Sequence, residues 1–200
     1  MAHYFVLNFF AREDGVFLPS SYYNEIFGMI GDALSSHLYT ITPIRTKNKK
    51  EVQDGIWVFN DFRIYLATPF VEIVSQNLFR LFNVLLNPFE GIYLQRITFK
   101  RICAKKSGTL LSGVFASLNG VALDYEKEPE IFSESLRKFL IKVYEKKFGK
   151  LPDDTRFFFL IKDNVKRQVL LPTRLEFFGN YEIFSSDELA EIFCQTFCVR

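Results

Sequence analysis

Two histidines occur in the chain, His3 and His37, and only His37 lies in its interior, between Ser36 and Leu38. Arg45, Lys47, Lys49 and Lys50 follow shortly after it. An imidazole titrates near neutrality and can give or take a proton, while neighbouring cations can hold a phosphate and the charge that develops on it. The competing reading makes His37 a polar residue closing a turn, the commoner fate of a lone histidine. Three more cationic groupings stand out. Lys138, Lys142 and Lys146 recur every four residues, joined by Arg137, Lys147 and Lys150; Lys162, Lys166 and Arg167 form a second group, and Lys100, Arg101, Lys105 and Lys106 a third. A cationic stripe at helical spacing can track a polyanion backbone, although one stripe alone equally suits a solvated helix face. Convergence of several groups on one surface would favour the polyanion.

Other chemistries find little support. The net charge of +2 does not announce nucleic-acid binding by itself, so the electrostatic argument rests on local clustering. Cys103, Cys194 and Cys198 are odd in number and lack a disulfide-like spacing, which fits a reducing cytoplasm. Cys194 and Cys198 could share a helix face, but no further Cys or His lies near enough in sequence to complete a zinc site, so both read as core residues and no metal or cofactor is expected. Neither a phosphate-cradling glycine loop nor a nucleophile elbow occurs. The N-terminus lacks a basic region ahead of an apolar run, and no apolar stretch approaches the ~20 residues that span a bilayer, so the expectation is a soluble, cytoplasmic protein without membrane partners. Tyrosines and phenylalanines near the cationic groups could stack on bases. A chain with 24 phenylalanines and 48% hydrophobic residues must nevertheless bury most of them in its core.

Elements must position these groups. Residues 3–10 predict a strand covered on both faces. Gly15 and Pro19 punctuate the chain, Ser20 or Ser21 offers an N-cap, and Tyr22, Ile26, Met29, Ile30, Ala33 and Leu34 recur at helical spacing, predicting a helix to Ser35 despite Gly28 and Gly31. Residues 38–44 predict a strand, 45–55 a polar basic loop and 56–67 another strand. Thr68 as N-cap and Pro69 in the first turn open a helix that stops near Pro88, and 91–102 predicts a strand. Strand, helix, strand, strand, helix, strand is the order of a ferredoxin-like fold.

The order then begins again. Residues 109–125 are strand-like, 133–148 helical, and 156–162, 166–171 and 175–184 extended, with a turn at Gly179 and Asn180; a last helix opens on a capping box of Ser185 and Glu188. The sequence therefore predicts an α+β chain of tandem ferredoxin-like (βαββαβ) repeats, 1–105 and 106–200, the second lacking its last strand. The open edge should be covered by the aromatic-rich C-terminal residues or by another chain. A cleft is expected between the repeats.

At this level of order the chain resembles a known family. Leu18-Pro19 followed by a helix, a histidine ahead of a strand, and the segment 54–69 resemble the N-terminal half of the CRISPR-associated endoribonucleases that process CRISPR precursor RNA. Val114-Phe115-Ala116-Ser117-Leu118-Asn119-Gly120-Val121 resembles the family's strand leading into a Ser-Pro turn, 136–150 its basic helix, and 172–193 its terminal strand, glycine turn and helix. The likeness covers nearly the whole chain and implies a RAMP-class protein that cuts repeat RNA without metal, by attack of the 2′-hydroxyl on the adjacent phosphate, leaving a cyclic phosphate. It implies general acid–base chemistry for His37, charge stabilisation by Lys47 or Lys49, and assistance from Tyr22 or Tyr23. It implies RNA contacts at Arg45, Lys49, Lys50, Lys138, Lys142, Lys146, Lys162, Lys166 and Arg167. The partners it implies are CRISPR repeat RNA, subunits of a CRISPR effector complex and a second copy of the chain in a homodimer. Two departures accompany the likeness. Phe27 stands near the place of a family tyrosine, and no glycine-rich loop follows the last helix, so impaired cleavage or a non-cleaving CRISPR RNA-binding subunit is implied as well. A reading without RNA is a ferredoxin-like interaction or regulatory protein whose lysines only solubilise it.

Overall fold

Alternation of burial organises the N-terminal unit, His3–Lys100. The computed structural model describes residues 2–36, 38–171 and 174–199. In strand β4 (Gly55–Ala67), Ile56, Val58, Phe62, Ile64 and Leu66 are buried while Trp57, Asp61 and Arg63 are exposed, so one face of the strand carries the core. Antiparallel to β4 run β1 (Ala2–Pro19), β2 (Thr40–Ile41) and the edge strand β3 (Lys49–Val52), and β5 (Ile92–Ile102) lies on the far side of β1. β1 and β2, joined through helix α1 (Tyr22–Leu34), flank β4, which is the split βαβ arrangement. Ile26 and Ile30 of α1, Leu81 and Leu85 of α3 (Leu78–Leu85), and Phe9 stacked on Phe62 at 5.1 Å build the core.

Three expectations for this unit are corrected. β1 does not end near Phe10: a bulge between Ala11 and Val16, with Gly15 at φ +90°, bends the strand and carries it on to Pro19. The presumed loop 45–55 is largely paired, because Arg45 bridges Arg63 and Lys49–Val52 forms β3. The four residues of β3 are all exposed and so lack the alternation that marks a half-buried strand; a charged edge strand needs none. The helix expected after Thr68 is two, α2 (Val71–Gln76) and α3, interrupted at Asn77, whose Nδ2 donates to the Ile73 carbonyl at 2.9 Å. Thr68 itself caps neither; its hydroxyl donates to Leu38 O at 2.8 Å.

The second unit comprises residues 101–200 with the first two of the chain. Its central strand β10 (Arg174–Ser185) pairs antiparallel with β6 (Ser107–Thr109) and β9 (Phe157–Leu171), and α4 (Pro129–Phe148) connects the two flanking strands, repeating the split βαβ plan. Phenylalanines make its core. Phe132, Phe159 and Phe177 are fully buried around Tyr125, whose ring lies 5.4 Å from Phe132 and 5.8 Å from Phe159. Each such pair adds about 1 kcal/mol beyond simple burial. The Tyr125 hydroxyl accepts from Ile161 N–H at 2.7 Å, so its polar end is satisfied inside this aromatic packing.

Here too the boundaries move. Residues 109–125 are not one strand; after β6 comes a bridge from Val114 to Phe177 and then a hairpin, β7 (Ser117–Leu118) with β8 (Val121–Ala122), turned by Asn119 and Gly120 at φ 51° and 80°. Gly179 and Asn180 make a bulge inside β10 and not a turn. α4 opens four residues early at Pro129, which suits a first turn, and Ser133 is buried with its hydroxyl accepting from Phe159 N–H at 2.8 Å. The cap of α5 (Asp187–Thr196) is Ser186, accepting from Leu189 N–H at 3.2 Å, and not Ser185. The edge expected to lack a strand is met by the residues after α5: Val199 bridges Leu110, Leu111 N–H donates to Cys198 O at 2.7 Å, and Cys198 N–H donates to Ser112 Oγ at 3.0 Å. The chain is α+β with antiparallel sheets in two ferredoxin-like units. Among the described residues no helix is long and apolar enough to cross a membrane.

Candidate functional site

Helix α4 sorts its residues by period. Leu136, Leu140 and Val143 are buried, while Lys138, Lys142 and Lys146 project as an exposed row at spacings of four. The cations beside that row are tied down. Arg137 donates twice to Glu134, at 2.7 and 2.8 Å, and once to Thr155 O at 3.3 Å; Lys147 donates to Gln195 at 2.7 Å, and Lys150 lies 3.7 Å from Asp153. The Arg137 hydrogen bonds hold the Glu134 carboxyl below the usual carboxylate range. Lys138 sits 3.6 Å from the same carboxylate, which Arg137 already engages through both oxygens, so its ammonium is only loosely held.

Next to this row the structure forms a cavity of about 320 Å³ between α4 and the segment 115–119. Lys138 and Lys142 line it together with Phe115, Phe139, Ser117 and Asn119. Its rim is fastened where Ser135 Oγ donates to Ser117 O at 2.7 Å. The Phe115 ring is held by the Arg174 guanidinium, 4.0 Å from its centroid, and Arg174 is itself ion-paired to the buried Glu176 at 2.6 Å. Two lysines, two phenylalanines and short polar residues around a pocket of this size suit a phosphate with an attached base.

The remaining C-terminal candidates are not part of that cavity. Lys162 is ion-paired to Glu182 at 2.7 Å, Arg167 lies 3.6 Å from Asp124, and Lys166 is exposed on β9 in register with Phe178. Lys146 stands one turn beyond Lys142 on α4. Lys100, Arg101 and Lys105 are exposed, and Lys106 pairs with Asp187 at 2.7 Å. The structure thus brings Lys138 and Lys142 together and sends the β9 cations to other partners.

In the N-terminal unit His37 lies outside the described residues. Before it, α1 ends at Leu34 and Ser35 turns left-handed at φ 50°; the Ser35 hydroxyl accepts from Arg80 at 3.3 Å. After it, Leu38 N–H donates to Ser36 Oγ at 3.3 Å. Arg80, a cation that α3 delivers to the end of α1, was not nominated by the sequence. Tyr23 is only 3% exposed and its hydroxyl donates to Ile41 O at 2.9 Å, so the acid–base assistance expected of it has no path to a ligand. Phe27 stacks on Tyr39 at 4.6 Å. Tyr22 is the better placed phenol: half-buried, it accepts from Ile44 N–H at 3.4 Å, a bond that does not consume its own proton. Burial pushes its pKa up, against the opposing pull of that bond and of Arg45. Arg45, Lys47 and Lys50 are exposed, and Lys49 is ion-paired to Glu51 at 2.5 Å. Among the described residues no cluster of His, Cys, Asp and Glu could hold a metal ion.

No family model and no curated protein matches the sequence. Solved structures match its fold along nearly its full length. A Cas6-related protein of Pyrococcus furiosus superposes with a TM-score of 0.73 at 16% identity, covering 98% of this chain and 92% of that one. A CRISPR-associated Cas6 protein gives 0.74 at 15%, over 98% and 94%. A RAMP protein described as binding different RNA substrates gives 0.76 at 17%, over 99% and 95%. The chain therefore has the fold of Cas6 and RAMP proteins.

Proposed function

We propose that the chain is an RNA-binding protein of the Cas6 and RAMP type, taking CRISPR repeat RNA as its ligand. The observation that carries this reading is the α4 cavity, where Lys138 and Lys142 meet Phe115 and Phe139 in a fold shared end to end with a protein described as binding RNA. Ammonium groups would take the phosphates and the rings would take the bases. Metal-independent cleavage, if the chain performs it, falls to His37 as acid or base and to Lys47 as the cation beside the phosphate. A second reading, a binder that does not cut, is favoured by one observation: Tyr23 spends its hydroxyl inside the core, and Phe27 has no proton to transfer. Arg45, Lys50, Lys146 and Lys166 are exposed and extend the proposed RNA contacts beyond the cavity.

Incubating the purified chain with a labelled repeat hairpin in EDTA tests both readings. A mobility shift is expected at low salt. Products ending in a cyclic phosphate, present with the wild type and lost in His37→Ala, establish cleavage; a shift without products establishes the binder. No shift for any repeat RNA at low salt overturns both.

A further inference from the structure

Strand register in the N-terminal unit assembles three side chains that the sequence keeps apart. Lys50 on β3 is directly opposite Trp57 on β4, and Trp57 is directly opposite Phe17 on β1. Directly opposed residues point to the same face of a sheet. The rows on either side, Ile56 with Leu18 and Val58 with Val16, are buried, so the Lys50–Trp57–Phe17 row faces away from the core. Trp57 is 38% exposed and Phe17 41%, and their ring centroids are 5.7 Å apart at 52°. Trp57 is the chain's one tryptophan.

We infer that this row is a stacking platform for unpaired bases of single-stranded RNA, with Lys50 taking the adjoining phosphate. The inference rests on the RNA-binding reading above and adds to it a second contact surface, on the other unit. Charge and shape both favour a nucleotide strand over a protein. The Lys49 ammonium is spent on Glu51, whereas Lys50 projects on the aromatic side of β3 with no carboxylate partner among the described residues. Farther along the same face of β4 stands Arg63, directly opposite Arg45; at ~3.3 Å per residue this pair lies roughly 20 Å from Trp57, with Asp61 on the intervening stretch. An edge strand carrying Lys49 and Lys50 also discourages the addition of a partner strand. The platform is preformed, because the Phe17 ring packs so closely on Gly55 that a Cβ there would lie 2.8 Å from Phe17 Cζ. Stacking on exposed rings tolerates any base, so the platform suits a flank of varied sequence.

Trp57 reports on its own occupancy. The full chain is titrated with a repeat hairpin bearing a single-stranded flank of about eight nucleotides, within the site sizes of single-strand binders, and with the same hairpin made blunt. Tryptophan fluorescence and the anisotropy of a dye on the RNA are read together. Flanked RNA is expected to quench Trp57 saturably, with the same midpoint as the anisotropy, and blunt RNA to bind without quenching. Phe17→Ala should weaken the flanked RNA about 5-fold or more and leave the blunt hairpin unchanged, and Lys50→Gln should weaken the flanked RNA more than the blunt one, with melting curves as the check on folding. Binding by anisotropy with no quenching overturns the platform and leaves the RNA reading standing. Absence of binding to either RNA at low salt removes both. Fluorescence that depends on protein concentration without RNA identifies the row as a contact between copies of the chain, and overturns the platform as well.

Discussion

Replacing Lys138 and Lys142 together by glutamine tests the α4 cavity by the salt dependence of RNA affinity. Each lysine that neutralises a phosphate of a single strand adds ~0.7 to the slope of log K against log salt. The pair therefore accounts for about 1.4 of that slope, and at about 0.1 M salt for roughly 5-fold in affinity per lysine, or about 25-fold together. The structure says both contacts are available. Lys142 is exposed on the cavity wall, and the Lys138 contact with Glu134 at 3.6 Å costs little to break because Arg137 already occupies that carboxylate. Both side chains are surface groups, so stability should change by no more than about 0.5 kcal/mol. The assay is anisotropy of a labelled single-stranded repeat RNA from about 50 to 400 mM salt, a range over which the slope is linear. Lys150→Gln supplies the comparison, since it removes a charge from the end of the same helix where Asp153 is its partner. A double variant whose slope matches the wild type, or a Lys150→Gln whose slope falls as far, would refute the reasoning, the second by showing that net charge and not position matters.

Two glycines should respond in opposite directions to alanine. Gly28 is exposed inside α1 with nothing within 4 Å of an added Cβ, so Gly28→Ala should stabilise by about 1 kcal/mol and raise Tm by about 2–4 °C. At Gly113 a Cβ would meet Glu176 Cβ at 2.5 Å, which displaces a buried carboxylate from Arg174; Gly113→Ala should cost about 3 kcal/mol or more by denaturant unfolding. Arg156 hydrogen bonds hold the Asp154 carboxyl down at about 2. A depressed carboxylate contributes stability above its ordinary range of ~4 and loses it as pH falls through the folded value, so Arg156→Gln should move the Asp154 midpoint up in a carboxyl NMR titration. The return should be partial, because the Arg156 backbone N–H still donates to Asp154 at 2.9 Å.

Much of the fold was legible because its elements repeat at the periods that packing requires. The helix over 133–148 and the strand over 56–67 were visible in residue type alone. What escaped was set by backbone conformations and edges. Gly15 marks a bulge in β1 and Gly179 one in β10, and either glycine could as well have ended its strand; only the partner strand decides. β3 shows no alternation since none of its residues is buried. Asn119-Gly120 did carry a hairpin signal, obscured by the hydrophobic run around it.

The candidate sites divide along the same line. Lys138 and Lys142 could be paired from sequence because a helix fixes neighbours four residues apart, whereas Lys50, Trp57 and Phe17 become neighbours only once two registers are set. Those registers hang on a short turn: Val52 opposes Gly55 across Gln53 and Asp54, and Asp54 O accepts from Ser20 N–H at 3.0 Å, fastening the turn to the end of β1. A slip of β3 by one residue would turn every side chain to the other face, placing Lys49 and Glu51 beside Trp57 and taking Lys50 away from it. The platform would then carry a neutral ion pair where it now carries a cation. Thus the same composition that makes 45–55 look like a polar basic loop yields, in one register and not in its neighbour, a surface able to hold a phosphate against a pair of rings.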